Sequence, residues 1–120
     1  MKIENYDRHG NLVSGTQVPQ YPQSFTYSSG ASFTPSIVMS SGNANVACQS
    51  SYAGAQTVNI PSASGSLNII TLSDTGGTAG THAVTITPAT GSISGMSVLN
   101  TNSMSLTLLD IGGSVGWQSI

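Results

Sequence analysis

From residue 35 onward the chain alternates between apolar and polar residues. Ile37 and Met39 stand among polar neighbours, as do Val46 and Cys48, then Val58 and Ile60. A stronger run follows at Leu67, Ile69 and Ile70-Thr71-Leu72. Val84 and Ile86 alternate with Ala83, Thr85 and Thr87, and Met104, Leu106 and Leu108 with Ser103, Ser105 and Thr107. Val115 and Trp117 close the series. A period of two marks strands buried on one face, and no window of about eleven residues keeps a helical stripe. The interruptions are turn formers: Ser41-Gly42-Asn43, Pro61, Asp74-Thr75-Gly76-Gly77, Pro88, Gly95, Asn100 and Gly112-Gly113. The pattern predicts an all-β module over residues 35–120, an antiparallel β-sandwich or jelly roll with no helix beyond about two turns. Ile69, Leu72, Val84, Ile86, Leu106 and Leu108 are its expected core. No repeat of fixed period is visible.

Residues 1–34 read differently. Lys2, Glu4, Asp7 and Arg8 fall within the first eight residues, and beyond His9 the only formal charges are Asp74 and Asp110. Pro19 and Pro22 lie in a Gln/Ser/Tyr-rich stretch that Pro35 ends, and proline biases its surroundings toward extended backbone. An extended N-terminal arm is expected here, with Leu12, Val13, Val18, Tyr21, Phe25, Tyr27 and Phe33 as side chains it can bury. Its four charged residues are the expected partner anchor, because complementary charge fixes register. The extended stretch after them suits main-chain pairing at a partner's sheet edge.

Composition removes several function classes. Of 120 residues only 5% are charged, while 21 are serine and 13 threonine, so hydroxyls carry the polarity. Nucleic-acid binding needs cations to neutralise phosphates, and Lys2 and Arg8 are the only Lys and Arg. No apolar run approaches the ~20 residues of a membrane span. Neither nucleic acid nor membrane is therefore an expected partner. The first ten residues lack the apolar core of a secretory signal, which suggests a chain made and kept in a reducing cytoplasm. Cys48 has no second cysteine to pair with and is expected as a small buried hydrophobe.

Catalytic groups are sparse. Ser73, His82 and Asp74 make a triad on paper, but with so many serines the coincidence has little force. Gly91-Ser92-Ile93-Ser94-Gly95 carries Ile where a nucleophile elbow needs serine. The Gly76–Thr81 stretch is glycine-rich without the lysine of a phosphate loop; its small side chains suit close approach of another chain. Asp74, Asn100, Asn102 and Asp110 could offer oxygens to calcium, yet both aspartates precede glycine-containing turns, where Asp bonds local backbone. No catalytic residue, cofactor or metal is expected. Among the aromatics, Trp117 and Tyr52 are the candidates for stacking on a saccharide ring, against the ordinary place of a lone Trp in a core or subunit interface.

Residues 58–120 carry an ordered set of motifs: Val58-x-Ile60-Pro61, Leu67-x-Ile69-Ile70-x-Leu72-x-Asp74, Gly80-Thr81-His82-Ala83-Val84-Thr85-Ile86-Thr87-Pro88-Ala89, Gly91-x-Ile93-x-Gly95, Leu99-Asn100-Thr101-Asn102, Ser105-Leu106-Thr107-Leu108 and a late Trp117. The order resembles a β module of tailed-bacteriophage structural proteins, chiefly fibres and spikes. The chain departs from that pattern at Ser73 and at Gly112-Gly113-Ser114. The resemblance implies a non-enzymatic virion component, usually a homotrimer, on the outer surface of capsid or tail. With the charged arm, it suggests a capsid decoration, cement or head-fibre protein contacting the major capsid protein or another virion protein. The alternative is a tail-fibre or receptor-binding tip that recognises a cell-surface saccharide. A carbohydrate-binding module outside any virus is a more distant third.

Overall fold

The computed structural model describes residues 22–120, and within them the chain builds two sheets by turns. β1 (Gln23–Tyr27) lies in the first sheet and β2 (Ser32–Phe33) in the second. β3 (Ala44–Cys48) returns to the first, β4 (Gln56–Ile60) to the second, β5 (Ile69–Asp74) to the first and β6 (Val84–Pro88) to the second. The result is a solenoid-like stack of three rungs. The pairs β1/β3, β3/β5, β2/β4 and β4/β6 are all parallel. β7 (Ile93–Ser94), β8 (Val98–Leu99), β9 (Ser105–Gly112) and β10 (Gly116–Ser119) then close one end. β9 runs antiparallel to β5, β10 antiparallel to β9, and β8 antiparallel to β6, while β7 joins β10 in parallel. The first sheet is ordered β1-β3-β5-β9-β10-β7, the second β2-β4-β6-β8.

The all-β expectation holds, and the one helical segment among the described residues is a 3-10 turn at Met39–Ser41. The expected antiparallel pairing does not describe the rungs. Alternation says which face of a strand is buried, not which strand lies beside it, and parallel and antiparallel rungs alternate alike. The rungs stack without a fixed repeat because the loops between them differ in length.

Register puts like side chains in columns. Phe25, Val46, Leu72 and Leu106 form one inward column of the first sheet, and Ala44, Ile70 and Leu108 another. Phe33, Val58 and Ile86 form a column of the second. Together with Tyr27, Cys48, Val84, Leu99 and Trp117 they make one core between the sheets. β-branched and aliphatic residues suit both the pleat and this stacking. Five of the six expected core residues are buried; Ile69 is not. The doublet Ile69-Ile70 leaves the phase of β5 open, and the structure takes Ile70, Leu72 and Asp74 inward.

The expected boundary near residue 34 also moves. Residues 23–33 supply the first rung: Gln23–Tyr27 pairs along Ala44–Cys48, Tyr27 is fully buried, and its ring stacks on Phe33 with centroids 5.4 Å apart. Tyr27 and Phe33 belong to the module's core because only an in-register rung covers the end of the β3 and β4 columns. The remainder of the expected arm, residues 1–21, lies outside the described residues. Leu106→Ala should cost about 2–5 kcal/mol in urea unfolding, and outward Ile69→Ala under about 1 kcal/mol; equal losses would contradict the assigned phase of β5.

Candidate functional site

Residues 22–120 contain two formal charges, Asp74 and Asp110, and both lie in the interior. Asp110, on β9, is fully buried. Its Oδ1 accepts the Ser64 and Gly65 N–H groups at 2.8 and 2.9 Å. Its Oδ2 accepts the Ser66 N–H at 3.2 Å and the Ser64 and Ser66 hydroxyls. The Ser64–Ser66 segment of the β4–β5 loop is thus wrapped round one carboxylate. Gly112 lets the loop approach: its φ is +74°, and a Cβ there would lie 2.5 Å from the Gly65 nitrogen. Asp74, at the end of β5, does the same for two other loops. Its Oδ2 accepts the Ala79 and Ser103 N–H groups, each at 2.9 Å.

Burial alone would raise both carboxyl pKa values. The donated hydrogen bonds outweigh it and hold both below the ordinary carboxylate range. For Asp74 the donors are backbone groups led by Ala79 and Ser103; for Asp110 the Ser66 hydroxyl leads, followed by the amides of Gly65, Ser66 and Ser64. Cys48 sits in the inward column between Tyr27 and Asp74. Burial first, and the Asp74 charge second, push its thiol up to about 11, so it is the inert buried hydrophobe expected.

This geometry disperses the residues that sequence alone could assemble. Ser73 and Asp74 are adjacent on a strand and face opposite ways: the Ser73 hydroxyl meets Ser105 on the outer face at 2.9 Å, while the Asp74 carboxylate is inside. The calcium set divides too, because Asp74 ends β5 whereas Asp110 lies opposite Asn68, just before β5 begins. Six residues of strand put them roughly 20 Å apart. Among the described residues no three His, Cys, Asp or Glu cluster as metal ligands, no pocket opens, and no helix is long and apolar enough to cross a membrane. In the Gly76–Thr81 stretch Ala79 is fully buried and a Cβ on Gly76 would meet the Gln49 backbone, while Gly76, Gly80 and Thr81 are exposed.

The stacking pair is separated as well. Trp117 is fully buried, and its indole N–H donates to the Pro61 carbonyl at 2.9 Å, tying β10 to the end of β4. Trp117 is therefore a core residue, with neither face free for a sugar ring. Tyr52 is 45% exposed in the loop before β4, at the opposite end of that strand. Lys2, Glu4, Asp7 and Arg8 lie outside the described residues. The carboxylate clasp at Ser64–Ser66 is the feature sequence reasoning missed; Asp110 was assigned to its own turn, yet it reaches back across the sheet to an earlier loop.

Stability should be level between about pH 5 and pH 8 as far as these groups govern it. The two carboxylates contribute fully above their unfolded pKa of about 3.9, and that contribution is lost as pH falls through their lower folded values. Cys48 acts at the other limit: stability declines as pH rises above the unfolded thiol value of about 8.5 toward the folded one. Asp110→Asn sets an NH2 group against N–H and O–H donors. It should cost about 2–4 kcal/mol in denaturant titrations and flatten the acid limb; a loss below about 0.5 kcal/mol would show that the clasp is not needed.

Compared with known proteins, the chain matches no protein-family model and no curated relative.

Proposed function

We propose that the protein is a non-enzymatic structural component of a bacteriophage virion, a capsid decoration or head-fibre protein anchored through its charged N-terminal residues. The observation that carries this reading is the placement of charge. Both carboxylates of residues 22–120 are spent inside, on loop amides and hydroxyls. The outward columns are largely hydroxyl and amide: Ser24, Asn45, Thr71 and Thr107 on the first sheet, Ser32, Thr57 and Thr85 on the second, with Val98 beside Thr85 and the Ile69/Leu109 pair as aliphatic exceptions. Such a surface has almost nothing to titrate and few sites for salt to screen, which suits a particle exposed to changing media. The motif order of residues 58–120 supports the same class. Low charge is a solubility risk for a free chain and less of one for a chain seated on an assembly. Lys2, Glu4, Asp7 and Arg8 then supply the register-fixing contact that the module does not offer.

Two measurements on purified virions of the phage that encodes the chain test this. Quantitative mass spectrometry should find copies on the order of hundreds per particle, as charge-guided seating over a repeated lattice requires. A handful would favour the tail-fibre reading, and absence from the particle would refute both. A chain lacking residues 2–18 keeps β1 and should remain folded by circular dichroism, yet fail to join particles. Binding as tight as that of the full chain would overturn the anchor.

A further inference from the structure

The two ends of the rung stack are finished differently. At one end β9 lies on β5 and β8 on β6, so antiparallel strands cover both sheets. At the other end β1 and β2 are the outermost strands of their sheets among the described residues. On β2 the consequence is local and specific. The Thr57 N–H donates to the Ala31 carbonyl at 3.0 Å. Main-chain groups alternate sides along a strand, so Ala31 and Phe33 face β4, and Ser32 and Thr34 turn theirs away from it. The Asn59 amide donates to the Thr34 hydroxyl at 3.1 Å, which carries the register one residue beyond the Phe33/Val58 pair. Phe33 heads the inward column Phe33-Val58-Ile86. Val58 and Ile86, with a strand on each side, are buried, whereas Phe33 is only half-buried. A parallel edge ending on an aromatic is a surface that native sheets and solenoids cover.

The spacing of the rungs selects the cover. From the second sheet to the first the chain takes eleven residues from Phe33 to Ala44 and twelve from Val58 to Ile70, and these pairs join equivalent positions of successive rungs. Gln23 holds the same first-sheet position in the first rung, as the register partner of Ala44. Eleven residues before Gln23 stands Leu12, and twelve before it Asn11. Only Leu12 is aliphatic, as the column requires. The linkers agree in chemistry as well. Pro35 and Gly42 fall between Phe33 and Ala44, Pro61 and Gly65 between Val58 and Ile70, and Gly15, Pro19 and Pro22 between Leu12 and Gln23.

We propose that Asn11-Leu12-Val13, which lie outside the described residues, pair in parallel along the outer edge of β2, with Leu12 covering Phe33 as the fourth member of its column. The Ser32 and Thr34 N–H groups then donate to the Gly10 and Leu12 carbonyls, in the pattern by which Thr57 donates to Ala31. The occupant is the chain's own segment because rung spacing delivers it to this edge with an apolar residue in phase. Lys2, Glu4, Asp7 and Arg8 precede it, so the cap and the anchor proposed above use different residues, and either stands without the other.

Amide hydrogen exchange on the full chain, read residue by residue by NMR, tests the cap. At neutral pH the Ser32 and Thr34 amides should be protected at least about tenfold over an unstructured chain, equally at about 10 and about 200 µM protein. Leu12→Asn should abolish that protection and lower the Tm by about 5 °C, with the β3 and β5 amides still protected. Val13→Asn, one residue on and therefore facing outward, should change neither. Unprotected Ser32 and Thr34 amides in the wild-type chain would overturn the proposal, as would protection that survives Leu12→Asn or is lost equally in Val13→Asn. Protection that grows with protein concentration would assign the cover to another copy and overturn it as well.

Discussion

An ionised carboxylate placed between two packed sheets is unfavourable by several kcal/mol unless its lone pairs are satisfied. This chain places two there and makes their satisfaction the means of closing its loops. The Ser64–Ser66 loop between β4 and β5 closes on Asp110. The Asp74–Ala79 turn and the Ser103 turn before β9 close together on Asp74. Each carboxylate thereby joins segments that are distant in sequence, at opposite ends of the β5/β9 pair. That pair is where the parallel rungs meet the antiparallel closing strands. Fixing both of its ends fixes the register of the two halves, and with it the columns on which the core depends.

The burial pattern was largely legible in the sequence because period-two alternation is a direct consequence of the pleat. Leu72, Val84, Ile86, Leu106 and Leu108 follow from it without further information. Ile69 did not: it stands three residues from Leu72 and cannot share a face of one strand with it, and the structure takes Ile70 inward with Leu72 and Asp74. Strand partners were not legible. A parallel rung and an antiparallel hairpin bury the same alternate residues, and rungs joined by loops of unequal length leave no repeat to detect. The first rung was assigned to an arm because prolines frame it at Pro22 and Pro35; these prolines sit just outside β1 and β2, where no ladder hydrogen bond is lost.

The candidate site was legible in its ingredients but not in its arrangement. Two aspartates before glycine turns suggested local turns. Asp74 does bond a local amide, Ala79, but its second donor, Ser103, comes from a different loop. Asp110 bonds nothing in the turn that follows it. Side-chain reach across a sheet is a tertiary fact that no local pattern encodes. For Trp117 the resemblance gave a position in a motif order, and tertiary structure gave the role: a core side chain whose N–H joins the two sheets at Pro61. The outward faces were legible by elimination, since a chain with two charges beyond His9 can display only hydroxyls, amides and whatever apolar residues the core leaves out. Ile69 and Leu109, register partners outside the core, are two of those residues.

The claim that two buried carboxylates hold the loops of this fold is tested most directly by amide hydrogen exchange. At neutral pH the amides of Gly65, Ser66, Ala79 and Ser103 should exchange as slowly as those of the adjoining strands, although they lie in loops. Below the pH at which the two carboxyls protonate, the same amides should lose protection ahead of the β3 and β4 strands. Rapid exchange at these four positions at neutral pH, or protection that persists after both aspartates are protonated, would contradict the account.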